Sequence, residues 1–365
     1  MRILLVGPGN NFRFGGRFFY SFVRRLANGF IRNGHFVLHF SDRDMADYAL
    51  GMRAAGRWLA NRQLLATAKE VQPDLLVLHH AHLIAPETVA AIRKAVAHVR
   101  VVNIFCDGLR AKKASERFTA MNAVSDIGFV TTGGADLAAH AGPIPVAFIP
   151  NPVDASIDDV RAFEETQKQH DVFFACGKDG GRRRWQLADA VRDACPDLAF
   201  AYYGKGKTNR IWGKRYYEAL RATKLGLNFN EWDGGLYASD RMAQYLGNGL
   251  LLATARATGY GDHFADDEML FFDEAADLVD QLSAVLPDEA RWRAMARKGY
   301  ERAYATMGEQ RVCGFIVKLA LGESVPADWP FAAHIHAAGA GASVMAGQDV
   351  STGRGSREHA ARVIP

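Results

Sequence analysis

Basic residues follow two predicted strand ends in the second half of the chain. Lys178, Arg182 and Arg183 come after the segment DVFFACG, and Gly204 and Lys205 come after a later strand. A guanidinium group binds phosphate oxygens through two parallel hydrogen bonds, and an ammonium group binds them as a point charge. Ligands of open α/β sheets sit at the carboxyl ends of strands, so these residues are candidates for holding a diphosphate. The alternative is a solvated basic loop.

A helix predicted from Ser239 offers a second place for an anion. It begins Ser239-Asp240-Arg241, and Gln244 lies one turn further on. The free N–H groups at a helix start and the helix dipole both favour negative charge. Gln244 can donate and accept hydrogen bonds but carries no charge. The alternative is a helix that packs in the core, with Ser239 or Asp240 as its cap.

Three histidines, His79, His80 and His82, end a predicted strand, DLLVLHH. Side chains alternate in an extended chain, so only His80 and His82 are expected to point together. No carboxylate or cysteine stands at ligand spacing in the sequence, and we therefore expect no metal site. Asp107, in FCDG after the next strand, is placed to act as a general base or, equally, to cap a helix.

A glycine-rich loop follows the first predicted strand and contains Gly15 and Gly16. The absence of a side chain would let the loop approach a ligand closely, although an ordinary flexible loop has the same composition. Gly7 and Gly9 do not complete the G-x-G-x-x-G motif, because position 12 is Phe. This argues against a dinucleotide-dependent dehydrogenase.

Strands and helices alternate through both halves of the chain. Strands are predicted at 2–6, 35–40, 74–78, 100–105, 127–131 and 146–149, then at 171–175, 199–203, 225–228, 250–253 and 269–272. This alternation predicts α/β domains with parallel sheets, and the prolines of IPNPVD mark their junction. We expect an N-terminal domain at 1–150, a linker at 151–170, a C-terminal domain at 171–330 and a disordered tail at 331–365.

The composition is that of a globular protein. Of 365 residues, 49% are hydrophobic and 23% charged, with a net charge of +4. This small charge does not indicate a nucleic-acid-binding protein but suits anionic substrates. No apolar run reaches the roughly 18 residues of a membrane span, and four cysteines without CxxC spacing fit free thiols in the cytoplasm. Phe12, Arg13, Phe14 and Arg17 are candidates for peripheral membrane contact. No oligomeric state is predicted.

The stretch from Ser239 to Asp273 resembles a signature of the group 1 glycosyltransferases, most closely their spore-maturation-type branch. The family pattern is R-hydrophobic-x-E-x-x-x-x-G, a hydrophobic strand, a loop ending in Phe, and E-hydrophobic-hydrophobic-F-D. Its places are taken by Arg241, Gln244, Gly249, Leu250 to Leu252, Phe264, Glu268 and Phe271 to Asp273. The segments GPGNNFRFGG, PDLLVLHHAH and IPNPVD also resemble the family. The departure is Gln244, which stands where the family has a glutamate that holds the nucleotide ribose.

This resemblance implies the GT-B fold, two Rossmann-like domains with a nucleoside-diphosphate sugar in the cleft between them. It implies sugar transfer to a glycan, lipid-linked or protein acceptor, with retention of configuration and without a metal or other cofactor. His80, or else His79, would contact the donor sugar, the alternative being a structural histidine. The basic residues would stabilise the departing diphosphate. The expected catalytic residues are His80, Asp107, Lys178 and Arg183. The expected donor-binding residues are Gly15, Gly16, Arg182, Gly204, Lys205, Ser239, Arg241 and Gln244.

Two other functions fit the same fold. Gln244, and the absence of a glutamate eight residues upstream at Leu236, would suit a GT-B protein that has lost catalysis and acts as a scaffold. A GT-B epimerase acting on the nucleotide sugar alone ranks third, because it needs paired carboxylates and histidines that the sequence does not show clearly.

Overall fold

A computed structural model describes residues 1–49, 53–177, 182–205, 208–237 and 239–339. Their strands lie in two sheets. The first sheet contains β1 Arg2–Val6, β2 Phe36–Phe40, β3 Leu75–His79, β4 Arg100–Phe105, β5 Ile127–Val130, β6 Val146–Phe148 and β12 Ile335–His336. The second contains β7 His170–Ala175, β8 Phe200–Tyr203, β9 Thr223–Asn228, β10 Leu251–Ala255 and β11 Leu270–Phe272. The strands predicted from sequence agree with these bounds to within about two residues.

Helices connect most of the strands. In the first half they are α1 Asn11–Phe14, α2 Phe22–Arg32, α3 Asp42–Asp47, α4 Arg53–Val71, α5 Pro86–Ala95, α6 Lys112–Asn122 and α7 Gly134–Ala138. In the second half they are α8 Arg182–Ala194, α9 Lys214–Arg221, α10 Asp240–Gly247, α11 Ala275–Val285, α12 Glu289–Met307 and α13 Glu309–Ala320. None of the described helices is long and apolar enough to cross a bilayer.

The first sheet has the strand order β12-β6-β5-β4-β3-β1-β2, and β12 is its antiparallel edge. Helices cover both faces of a parallel sheet, so its inner strands need apolar side chains at successive positions. The run from Ile3 to Val6 and the run from Leu75 to Val77 meet this need, because every residue in them is fully buried.

The second sheet is parallel throughout, in the order β11-β10-β9-β7-β8. Its order reverses at β7, which has the edge strand β8 on one side and β9 on the other. Ligands of such sheets bind beyond the carboxyl ends of the strands, at the point where the order reverses. The segments after β7, β8 and β9 therefore define the edge at which a site is expected.

A buried polar cluster ties the two halves together. The guanidinium of Arg25, on α2, lies 2.5 Å from the carboxylate of Asp158 in the linker, and both side chains are buried. The same carboxylate accepts hydrogen bonds from Tyr217 Oη at 3.1 Å and from Asn248 Nδ2 at 3.0 Å. One linker carboxylate thus contacts one helix of the first half and two helices of the second.

The chain returns to the first sheet at its C-terminal end. Helix α13 packs on α2 at Gly29, where a Cβ atom would collide with the backbone of Glu309 and the sulfur of Cys313. Further on, Phe331 is fully buried, and β12 pairs with β6. The assignment of 331–339 to a disordered tail is therefore wrong, because an aromatic anchor and two paired residues hold part of this Ala-rich segment on the sheet. Residues 340–365 lie outside the described part of the chain.

The first long helix begins later than its apolar stripe predicts. The sequence favours a helix over 17–33, whereas α2 starts at Phe22. Gly15 and Gly16 have φ angles of +54° and +78°, which end the short helix α1, and Ser21 is extended. Residues 15–20 therefore form a turn beside the cleft rather than the first turns of the helix.

Candidate active site between the two sheets

A cavity of about 410 Å³ lies where the carboxyl ends of the two sheets meet. The first half contributes Phe18, Tyr20, Ser21 and Phe22. The second half contributes the turns after β7 and β8, the segment Arg210 to Trp212, and the first turn of α10 with Asp240, Arg241 and Gln244. We call this space the donor cavity. The structure thus brings three sequence-predicted site residues together in it: Gly204, Arg241 and Gln244.

The side chain of Gln244 is fixed by two hydrogen bonds. Its Oε1 accepts from Tyr216 Oη at 2.7 Å, and its Nε2 donates to the Asp240 carboxylate at 3.1 Å. Gln244 and Tyr216 are both buried, and burial raises the pKa of the Tyr216 hydroxyl well above its ordinary value. The tyrosine therefore stays protonated and donates to Oε1 of Gln244. The NH₂ group of the same amide then faces the carboxylate of Asp240 and donates to it.

Asp240 supplies the donor cavity with a carboxylate that sequence reasoning did not select. It lies one helical turn before Gln244, on the same face of α10. Its side chain is exposed and lines the cavity. The feature of the sequence that indicates this role is an acidic residue at the first position of the helix, which the sequence analysis assigns only to a possible cap.

Arg241 links the ends of two strands of the second sheet. Its two terminal nitrogens donate to the carbonyl oxygens of Ala175, at 3.1 Å, and Phe229, at 2.7 Å. These residues end or follow two neighbouring strands, β7 and β9. The side chain is buried, so it holds the strand ends in position beside the cavity wall.

Two glycines let the backbone line the cavity closely. Gly204 has a φ of +93°, and a Cβ there would lie 2.7 Å from the carbonyl oxygen of Cys176. Gly177 also lines the cavity, and its carbonyl oxygen accepts from Arg210 at 3.0 Å. Arg210 thus presents a guanidinium at the wall, and sequence reasoning missed it because it follows the strand end by several residues.

The other predicted cations lie elsewhere or outside the described residues. Lys205 pairs with Asp189 at 2.5 Å, and Arg183 lies 3.4 Å from Asp233 at the rim of a separate cavity of about 360 Å³. Lys178 is outside the described residues, and of Arg182 the structure describes only the backbone. Ser239 donates to Asn228 Oδ1 at 3.2 Å and does not cap α10 with its side chain.

The glycine loop faces a second space that continues from the donor cavity. This space measures about 580 Å³ and shares Arg210, Ile211 and Trp212 with the donor cavity. Its opposite wall is the turn with Gly15 and Gly16, at which a Cβ would meet no other atom within 4 Å. The turn is therefore open toward the cleft.

His80 lies in another cavity, of about 310 Å³, at the ends of β3 and β4. Its backbone is left-handed, with a φ of +46°, and its ring stacks on Phe105 at 4.7 Å. The Nε2 atom accepts the backbone N–H of Cys106 at 3.0 Å and lies 2.9 Å from the sulfur of that residue. A non-glycine residue in this conformation is strained, and such residues concentrate at functional sites.

Asp107 joins His80 and His82 at this position. One ligand-type atom from each of the three lies within 4.8 Å of the others. Asp107 follows the neighbouring strand, so a carboxylate that does not stand at ligand spacing in the sequence lies beside the histidines in the fold. The Cys106 N–H occupies the Nε2 lone pair of His80, so a metal ion could bind that atom only by displacing this hydrogen bond.

A row of three rings runs from the donor cavity to the cavity of His80. Phe22 lines the donor cavity and stacks on His79 at 4.7 Å, with 18° between the rings. The ring of His79 lies 5.2 Å from that of His80. His79 is buried, and this burial lowers the pKa of its imidazole well below the ordinary value, so the ring is neutral at pH 7. The rings of Phe22, His79 and His80 thus run from the donor cavity to the cavity of His80.

Contacts between the halves close the cleft beyond this point. The ring of Trp232 stacks on Tyr237 and covers Gly108, leaving no room for a side chain there. The backbone N–H of Gly133 donates to the carbonyl oxygen of Gly235 at 2.5 Å. The loop 231–237 of the second half therefore rests on the first half.

Residues 182–311 match the model of a family described as glycosyl transferase-like. The Anabaena protein Alr3699/HepE, solved in complex with UDP and glucose, superposes with a TM-score of 0.58 and 12% identity, covering 88% of this chain and 100% of that one. The fold is GT-B. No curated protein matches the chain.

Two further solved GT-B structures are similar. An α,α-trehalose 6-phosphate synthase from Burkholderia multivorans has a TM-score of 0.58 and 11% identity, with coverage of 88% of this chain and 98% of that one. A sucrose-phosphate synthase from Thermosynechococcus elongatus has a TM-score of 0.54 and 12% identity, with the same coverage of each chain. Similarity at this level of identity establishes the fold and leaves the site to be argued from its own residues.

Proposed function

We propose that the protein is a glycosyltransferase that takes a sugar from a nucleoside-diphosphate donor held in the donor cavity. The observation that carries the proposal is the composition of that cavity: a carboxylate, a guanidinium and two glycines at the switch point of the second sheet, opposite the first domain. The family match over residues 182–311 supports the same function.

We expect the donor to bind in one orientation. The diphosphate would lie against the backbone of Gly177 and Gly204, beside Arg210, where a negative charge is neutralised and no side chain obstructs it. The ribose hydroxyls would bind Asp240, which replaces the glutamate that is absent at position 244. Trp212, 41% exposed, provides a flat apolar surface on which a nucleobase can stack.

The acceptor would enter from the cavity of His80. Asp107 lies beside His80 and His82 and would take the proton of an attacking hydroxyl. His80 would contact the transferred sugar, as predicted from sequence. Retention of configuration, independence of metal, cytoplasmic location, contact with the membrane and the spore-maturation-type branch all stay predictions, as do a glycan, lipid-linked or protein acceptor and the roles of Lys178 and Arg183.

The test is turnover of a donor chosen by binding. Thermal shifts with UDP, GDP, ADP, dTDP and CMP and their sugar conjugates would select the donor, because a ligand at 100 times its Kd stabilises the folded state by roughly 2.7 kcal/mol. UDP is the first choice, since a similar structure is described in complex with UDP and glucose. Release of nucleotide that depends on an added acceptor, and falls in Asp240→Ala, is the expected result. Binding without turnover for any acceptor tested would indicate the scaffold function instead.

The epimerase alternative gains one observation from the structure. His80, His82 and Asp107 form the histidine and carboxylate cluster that was not evident in the sequence. An epimerase would convert the sugar nucleotide without an acceptor, so the appearance of an epimer in acceptor-free reactions would distinguish it from a transferase.

A further inference from the structure

The cavity of His80 has an apolar wall and a cationic rim. Leu78, Ile84 and Phe105 belong to the wall, and Arg57 from α4 and Arg117 from α6 stand at the rim. Both arginines are exposed, and they come from different helices. Their presence at one opening is therefore a feature of the fold rather than of local sequence.

The described residues show no acidic partner for three arginines at or near this cavity. Arg43, Arg57 and Arg117 make no ion pair with any carboxylate in the described residues, whereas Arg93 and Arg110, on the same domain, pair with Asp126 and Asp136. Unpaired guanidinium groups near one another repel, so a fold that collects them leaves a site favourable for an anion.

The electrostatic effect of these arginines reaches the inside of the cavity. The pKa of His82 is lowered to about 4, first by burial and then by the charges of Arg43 and Arg117, while Asp107 opposes the shift. His82 is therefore neutral at pH 7. Among the described residues that line the cavity, Arg57 and Arg117 are the permanently charged ones, and both are cationic. The carboxylates of Asp42 and Asp107 lie near Arg43 and His82 but do not line it.

We propose that this cavity binds a phosphate group carried by the sugar acceptor. Two guanidinium groups at one rim match the oxygens of a phosphate, and the apolar wall suits the face of a sugar ring. The inference rests on the proposed function, because the adjoining rings of Phe22, His79 and His80 lead from the donor cavity to this one. A phosphate held at the rim would hold the rest of the acceptor near Asp107.

Binding of small phosphates tests the proposal directly. Titration calorimetry would compare glucose, galactose and mannose, their 1- and 6-phosphates, and glucuronate. We expect at least one hexose phosphate to bind at least tenfold more tightly than its neutral sugar. Arg57→Gln and Arg117→Gln should each weaken that binding about tenfold, as expected for loss of a charged hydrogen bond. Arg62→Gln, on the same helix but with its side chain over Trp58, is the matched control and should leave binding unchanged.

A second experiment identifies the kind of molecule that carries the phosphate. Flotation with vesicles of phosphatidylcholine, with and without phosphatidic acid, tests a phosphate at a lipid surface. Binding that needs phosphatidic acid and both arginines would assign the phosphate to a lipid-linked acceptor, and binding of free hexose phosphates alone would assign it to a soluble one. Failure of both, equal loss in Arg62→Gln, or preference for glucuronate would overturn the proposal.

Nucleotide binding separates this inference from the proposed function. The Arg57→Gln/Arg117→Gln protein should bind the nucleoside diphosphate as the wild type does, because neither arginine lines the donor cavity. If hexose phosphates do not bind but the nucleotide does, the acceptor assignment fails and the donor site stands. If the nucleotide fails to bind while hexose phosphates bind in an arginine-dependent manner, the donor assignment fails and the acceptor site stands.

Discussion

The hydroxyl of Tyr216 donates a 2.7 Å hydrogen bond to Oε1 of Gln244, inside the wall of the donor cavity. This bond orients the amide so that its NH₂ group donates to Asp240. A glutamate at position 244 would place two carboxylates one helical turn apart at hydrogen-bonding distance. Glutamine at 244 and aspartate at 240 are therefore a matched pair, one neutral amide and one carboxylate a helical turn apart.

Substitution of Gln244 by glutamate should destabilise the protein. The new buried carboxylate would lie beside Asp240, so its pKa in the folded state would rise above its unfolded value, and stability would be lost as the pH rises from the unfolded pKa to the folded one. We expect a loss of about 1–3 kcal/mol at pH 8 that shrinks as the pH falls toward about 4, the unfolded pKa of a glutamate. Urea unfolding at several pH values measures this. The double change Gln244→Glu/Asp240→Asn should recover most of the loss, and equal stability of the two variants would contradict the pairing.

Removal of Arg210 should weaken diphosphate binding selectively. Its guanidinium lines the donor cavity, whereas Lys205 pairs with Asp189 away from the described cavity wall. We expect Arg210→Ala to weaken nucleoside diphosphate binding about 10- to 100-fold and to leave nucleoside binding unchanged. Equilibrium dialysis with both ligands gives the comparison. A larger effect of Lys205→Ala would show that the lysine, as predicted from sequence, is the main phosphate ligand.

Stability between pH 4 and pH 7 should depend on Asp42. Burial raises the pKa of this carboxyl from 3.8 to about 6, so the folded state binds more protons than the unfolded state between these values. Stability contributed by the proton is therefore lost as the pH rises through this window, by up to about 3 kcal/mol. The advantage of Asp42→Asn over wild type should grow by that amount from pH 4 to pH 7. Asp47→Asn, an exposed change on the same helix, is the control, and parallel curves for all three proteins would refute the assignment.

The buried pair of Arg25 and Asp158 should dominate packing between the domains. Arg25→Met leaves the carboxylate of Asp158 buried with only neutral partners, and we expect a cost of about 3–5 kcal/mol. Adding Asp158→Asn should restore part of it, because the remaining group is then uncharged. Denaturant unfolding measures both. Arg93→Met breaks a half-exposed pair and should cost about 1 kcal/mol or less. If Arg25→Met cost as little as Arg93→Met, the domains would be held together mainly by apolar contacts.

The sequence predicts the two α/β sheets well because each strand is a short apolar run with a turn signal beside it. It predicts the cavity less completely, for a physical reason. Arg210 and Asp240 reach the donor cavity from segments several residues beyond a strand end, and Asp107 meets His80 only because β3 and β4 are neighbours. Phe331 shows the same limit, since one aromatic residue holds part of an Ala-rich segment that composition alone assigns to disorder. Which of these residues meet depends on the order of the strands in the sheet, and the spacing of residues along the sequence does not reveal that order.

The most direct measurement is calorimetric titration of nucleoside diphosphates into wild type, Asp240→Ala and Trp212→Ala. We expect one diphosphate to bind the wild type selectively, its monophosphate to bind less tightly, and both variants to weaken binding at least tenfold. Absence of binding by every nucleotide, or affinity unchanged in both variants, would contradict a donor site in the cavity between the two sheets.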